Sequence, residues 1–81
     1  MRKVNDLKKI VDEKLYDTDT ADLIHTDITN RIRYYRTRKG AFFVLYATGE
    51  IQPKTERSMK DLLGSADPEK YIEIFGKVEE A

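Results

Sequence analysis

The chain has 81 residues, with 15 Lys/Arg against 15 Asp/Glu, one histidine and no cysteine. That length supports a single domain with a thin core, and without cysteine there is neither a disulfide framework nor a thiolate metal site. No apolar run approaches the roughly 18 residues of a membrane helix, and the basic start MRKVNDLKKIVDEK lacks the continuous apolar segment of a secretory signal, so the expected location is the cytoplasm, with no membrane partner.

Neutral total charge hides an asymmetry. Residues 1–30 hold five Lys/Arg against seven Asp/Glu, residues 31–49 hold five against none, and residues 50–81 hold five against eight. The basic block is neutralised either by its acidic flanks or by an outside partner.

In chain order, Val4, Leu7 and Ile10 or Val11 follow a helical spacing, in charged company that favours fraying over residues 1–9. KIVDEKLYD then predicts a short hairpin, with Asp12-Glu13 between two apolar pairs. Asp17, Thr18, Asp19 and Thr20 make a turn through their own side chains. Ala21 to Ile28 is compatible with a strand or a short helix.

The central stretch RIRYYRTRKGAFFVLY, Arg31 to Tyr46, predicts a β-hairpin within residues 31–48. Gly40 suits a three-residue turn, Arg38-Lys39-Gly40, with a bulge. That register sets Thr37 opposite Ala41, Tyr35 opposite Phe43 and Arg33 opposite Leu45. It leaves Ile32, Tyr34 and Arg36 with Tyr46, Val44 and Phe42 on the other face.

Ile51-Gln52-Pro53 is extended, because a residue before proline avoids the α region. Thr55 N-caps a helix from Glu56 to Leu63, with Met59, Leu62 and Leu63 inside and Glu56–Lys60 and Arg57–Asp61 pairs outside. Gly64 is the expected stop. A second helix starts with Asp67 as cap and Pro68 at its first position. It presents Tyr71, Ile74 and Phe75, widened by Ile72. Gly76 ends it, and Val78 packs from the tail. The expected fold is α+β: a small antiparallel sheet of about three to five strands with one or two short helices, within 55–76, on one face.

The residues offer little chemistry. His25, flanked by Asp22 and Asp27, is the sole histidine, and Ser58 and Ser65 have no base placed beside them by any motif. Asp17, Asp19 and Asp22 echo a calcium loop, but Asp22 stands where glycine is required and Ile28 where a bidentate carboxylate is required. No catalytic residue, metal or cofactor is expected. The basic-aromatic hairpin is the candidate surface: Arg31, Arg33, Arg36, Arg38 and Lys39 to steer association, and Tyr35 and Phe43 as aromatic anchors. Its partner is expected to be a protein. Nucleic acid is the alternative, through bidentate arginine and base stacking. The third reading makes the hairpin plain scaffold. Exposed strand edges allow a monomer or a homodimer.

Four segments together, KLYDTDTADLI (Lys14–Ile24), YRTRKGAFFV (Tyr35–Val44), Ile51-x-Pro53 and YIEIFG (Tyr71–Gly76), resemble a family of small uncharacterised proteins from bacteria and their mobile elements. The resemblance covers most of residues 10–76. It departs at Phe42, where the family pattern has tryptophan, and at Ala47-Thr48-Gly49-Glu50, where the pattern has a long glycine-rich insert. It assigns no activity and no residue role. The mobile-element setting implies a non-catalytic protein that binds and blocks host machinery.

Overall fold

A computed structural model describes residues 7–81. Six strands and two helices follow in the order β1 (Lys8–Val11), β2 (Lys14–Asp17), β3 (Asp22–Asp27), β4 (Ile32–Arg36), β5 (Phe42–Leu45), β6 (Ile51–Lys54), α1 (Glu56–Ala66) and α2 (Pro68–Phe75). β3 to β6 form an antiparallel meander in sequence order, and β1 and β2 form a separate two-stranded sheet. The α+β class is as the residue pattern predicts.

The meander is covered on both sides. One face carries Tyr35, Phe43, Leu45 and Ile51, joined by Tyr16 from the β1–β2 hairpin, with Leu7 and Val11 packed beside them. The other carries Ile24 and Phe42 against Met59 and Leu63, with Tyr34, Leu62, Tyr71, Ile74 and Phe75 around them. β5 is therefore buried along its whole length, which explains its unbroken apolar run Phe-Phe-Val-Leu in place of an alternating pattern. Fully burying side chains of the size of Phe43, Met59 and Leu63 stabilises by about 1.5–3 kcal/mol each.

The central register is as expected: Arg33 faces Leu45, Tyr35 faces Phe43 and Arg36 faces Phe42. At the tip, the Thr37 N–H donates to the Ala41 carbonyl at 2.8 Å and the Gly40 N–H to the Thr37 carbonyl at 2.9 Å. Gly40 has φ +91°, the left-handed residue that the bulged turn requires. Residues 22–27 are strand, with a bulge between Leu23 and His25 that lets Ile24 enter the helix-side core. Pro53 is tolerated because β6 is an edge strand.

Four expectations are corrected. The helical spacing at Leu7 and Ile10 gives way to strand pairing of Lys8–Val11 with Lys14–Asp17; Val4 lies outside the described residues. Gly64 does not stop α1, which runs to Ala66. A Cβ at Gly64 would meet nothing, so it sits in open solvent, and the helix continues until Pro68 forces Asp67 out of the α region, at φ −155° and ψ 74°. Arg57 and Asp61 form no ion pair among the described residues, whereas Lys60 and Glu56 do, at 3.3 Å. Val78 and Ile72 are exposed and contribute nothing to the core.

Candidate basic cleft between two hairpins

The β1–β2 turn is the tightest kind, with Asp12 at φ 53° and Glu13 at φ 64°. This matches the sheet twist but places two residues with Cβ atoms in the left-handed region. The following turn fixes the hairpin's base. Asp17 is buried; its Oδ1 accepts from the Asp19 N–H at 2.9 Å, and its Oδ2 lies 3.8 Å from Lys8 Nζ. Its carbonyl accepts from Ala21 at 3.1 Å. Asp17 thus serves the turn chemistry read from the residues. Lys9 Nζ clamps β1 to the sheet, donating to Glu50 Oε2 at 2.6 Å and to the Ile51 carbonyl at 3.3 Å.

Docked this way, β2 and the tip of the β4–β5 hairpin enclose a cleft of about 620 Å³, lined by Glu13, Lys14, Leu15, Tyr16, Thr20, Thr37, Arg38, Lys39 and Ala41. Lys14, Arg38 and Lys39 make its wall cationic against the single carboxylate of Glu13. Leu15, Tyr16 and Ala41 supply its apolar part. A volume of this size fits a short peptide segment or a small ligand.

The seven expected site residues separate. Arg38 and Lys39 are exposed and line the cleft. Arg36 is half-buried, its guanidinium 5.9 Å from the Phe42 ring centroid, with Nε buried and without a partner. Arg31, at φ 58°, and Arg33 are exposed at the other end of β4. Five residues of extended chain, about 17 Å, part Arg33 from Arg38, so the basic block is two patches, not one. Tyr35 and Phe43 are core. Phe43 has no exposed area, and its ring stacks on Tyr35 at 5.1 Å and meets Tyr16 edge-on at 5.6 Å. As surface anchors they are corrected: the central strand, covered on both faces, has no aromatic to offer. Lys14, Thr20 and Thr37 also line the cleft, the last two beyond the turn and register positions that the sequence assigns them. Lys14 is visible in KLYD, yet nothing local to it points at the distant Arg38.

The hairpin's cations stand outside the ion pairs of the fold. The ion pairs among the described residues are Lys8–Asp17, Lys9–Glu50, Lys60–Glu56 and Lys70–Glu73, and His25 lies beside Asp67. None uses Arg31, Arg33, Arg36, Arg38, Lys39 or Lys14. His25 Nδ1 lies 3.9 Å from Asp67 Oδ2 in the helix layer, not from the neighbouring Asp22 or Asp27, and its ring leans on Tyr34 at 5.6 Å. That is a tie between layers at the second helix cap. Burial pushes the Tyr34 phenol above its ordinary pKa. No described helix is long and apolar enough to cross a membrane. No family model, curated protein or solved structure matches the chain.

Proposed function

We propose that the protein is a non-catalytic binding module whose basic hairpin tip engages an acidic surface of a partner protein. One observation carries this reading: the cations of residues 31–39 have no ion-pair partner among the described residues, and the acids that do sit beside a cation or His25, Asp17, Glu50, Glu56, Asp67 and Glu73, are all partnered from outside the hairpin. Unpaired cations around a cleft attract acidic groups and speed encounter. The burial of Tyr35, Phe42 and Phe43 leaves only the half-buried Tyr34 and Tyr46 as partly open aromatics of the hairpin, a poorer stacking platform for single-stranded nucleic acid, and the neutral net charge weakens any general attraction to polyanions. The resemblance to proteins of bacteria and mobile elements supports a cytoplasmic inhibitor of host machinery.

The test compares wild type with the Arg38→Glu/Lys39→Glu variant in pull-downs from bacterial lysate, with and without nuclease. Both side chains are exposed, so the variant is expected to retain its stability within about 0.5 kcal/mol per site. Protein partners that survive nuclease and are lost with the variant support the proposal. Identical recovery by both proteins overturns it, and recovery abolished by nuclease replaces it with nucleic-acid binding.

A further inference from the structure

The cleft has a feature that cationic side chains alone would not supply: its floor includes the edge of a strand, β2, that pairs only with β1 among the described residues. β2 contributes three consecutive residues, Lys14, Leu15 and Tyr16, to the lining, whereas β1 contributes none. Side chains of consecutive strand residues point to opposite faces. A cavity touching all three therefore lies along the edge of the strand, on the side away from β1.

The hairpin register says which backbone groups point there. Across the two-residue turn, Val11 pairs with Lys14, Ile10 with Leu15, Lys9 with Tyr16 and Lys8 with Asp17. The pair that closes such a turn is hydrogen-bonded, and hydrogen-bonded pairs alternate with non-bonded ones. The same alternation makes the next bonded pair Leu7 with Thr18, as the Thr18 N–H to Leu7 carbonyl bond at 2.9 Å bears out. Leu15 and Asp17 are then the residues whose backbone faces outward. The Asp17 carbonyl is used by Thr20 and Ala21. Among the described residues nothing takes the Leu15 N–H and carbonyl, and Leu15 lines the cleft. The Leu15 side chain is 54% exposed beside them.

The two edges of the four-stranded sheet are built differently. β6 carries Pro53 and is gripped by Lys9. β3 carries a bulge and has Asp22 and Asp27 at its ends, features that discourage strand pairing. β2 has no bulge. Its Lys14, with Arg38 and Lys39 across the cleft, repels a basic strand and attracts an acidic one.

The geometry points to strand addition: β2 receives an extended, acidic segment of the partner as a third strand of the β1–β2 sheet, using the Leu15 N–H and carbonyl, with Lys14, Arg38 and Lys39 meeting carboxylates. This rests on the acidic-partner reading above and specifies its mode.

A blocked synthetic peptide alternating glutamate and valine is the probe, with a lysine-valine counterpart and two forms of the acidic peptide N-methylated on alternate residues. Backbone amide NMR is the readout. The acidic peptide is expected to shift the Leu15 and Asp17 amides and slow Leu15 exchange, and the lysine peptide is expected to do neither. One methylation pattern should abolish binding and the other should not, because only alternate peptide N–H groups face β2. Arg38→Glu should weaken binding about tenfold, which is the loss of one favourable charge contact. Binding that depends on Arg38 but tolerates both methylation patterns overturns strand addition and leaves the acidic-partner reading standing. Binding indifferent to Arg38→Glu and equal for both peptide charges overturns both. No shift of any cleft amide at millimolar acidic peptide overturns strand addition.

Discussion

Phe43→Ala separates a core role for the aromatic hairpin from a surface role. The ring is fully buried, stacked on Tyr35 with an interplanar angle of 9° and met edge-on by Tyr16. Phe-to-Ala changes at such sites cost about 3–5 kcal/mol, the transfer loss plus the cavity left behind. The upper half of that range is expected here, because the two aromatic contacts each add about 0.5–1.5 kcal/mol beyond area and the strand is walled on both faces. At about 0.05–0.15 kcal/mol per residue, a chain of 81 residues has a total stability of about 4–12 kcal/mol. The substitution therefore removes a third or more of the whole. Urea denaturation followed by far-UV circular dichroism reads it directly. With an m-value of about 1 kcal/mol/M for a small domain, the midpoint should fall by about 4–5 M or the variant should be unfolded without urea. A midpoint shift below about 0.5 M, with loss of partner binding, would refute the core assignment and restore Phe43 as an anchor.

Two further predictions concern turns. Glu13→Gly should stabilise the protein by about 1 kcal/mol, because Glu13 holds φ 64° in a turn that favours glycine there; a thermal midpoint raised by about 4–8 °C is the expected readout, and an unchanged or lowered midpoint argues against strain at that turn. The Asp27 carboxyl is held below its ordinary pKa, foremost by the Asn30 side chain, which donates to Oδ2 at 2.9 Å, and then by the Asn30 N–H. Its folded pKa is depressed, so this tie is present above the unfolded value near pH 4 and is lost as pH falls through the folded one; the Asn30 amide shift followed by NMR should titrate with a midpoint below pH 4, and a midpoint at or above it contradicts the bond.

What was readable along the chain was what depends on near neighbours. Gly40 four residues before Val44 and three after Thr37 determined the central register. Pro68 after Asp67 marked the second helix, and Asp12-Glu13 between apolar pairs marked the first hairpin. What escaped depended on contacts across the fold. Gly64 carries a stop signal, yet its meaning depends on whether anything waits beyond it, and only Pro68 does. The small size of the domain requires most of its hairpin aromatics in the core, but which of them face inward, Phe43 included, shows only once the β1–β2 hairpin is seen to cover it. The cleft joins residues 13–20 to residues 37–41, and no periodicity relates two segments brought together by docking. Arginines adjacent in the alphabet of the chain, Arg31 and Arg38, part to opposite ends because a strand is long for its residue count.

The covering of β5 from both sides also bears on how the chain reaches its native state. The meander β3 to β6 is a run of hairpins, each closed over a short loop, and such contacts form early and at little entropic cost. Its two coverings come from opposite ends of the chain. The clamp from Lys9 to Glu50 and Ile51 spans 41 and 42 residues, a closure that must wait for the sheet it grips. During synthesis the β1–β2 hairpin is made before the strands it covers, and its clamp has no partner until Glu50 and Ile51 follow. Until that clamp closes, the Tyr16 cover over Tyr35 and Phe43 is held by fewer contacts, and apolar surface left open in this way invites capture by a chaperone or by another copy of the chain.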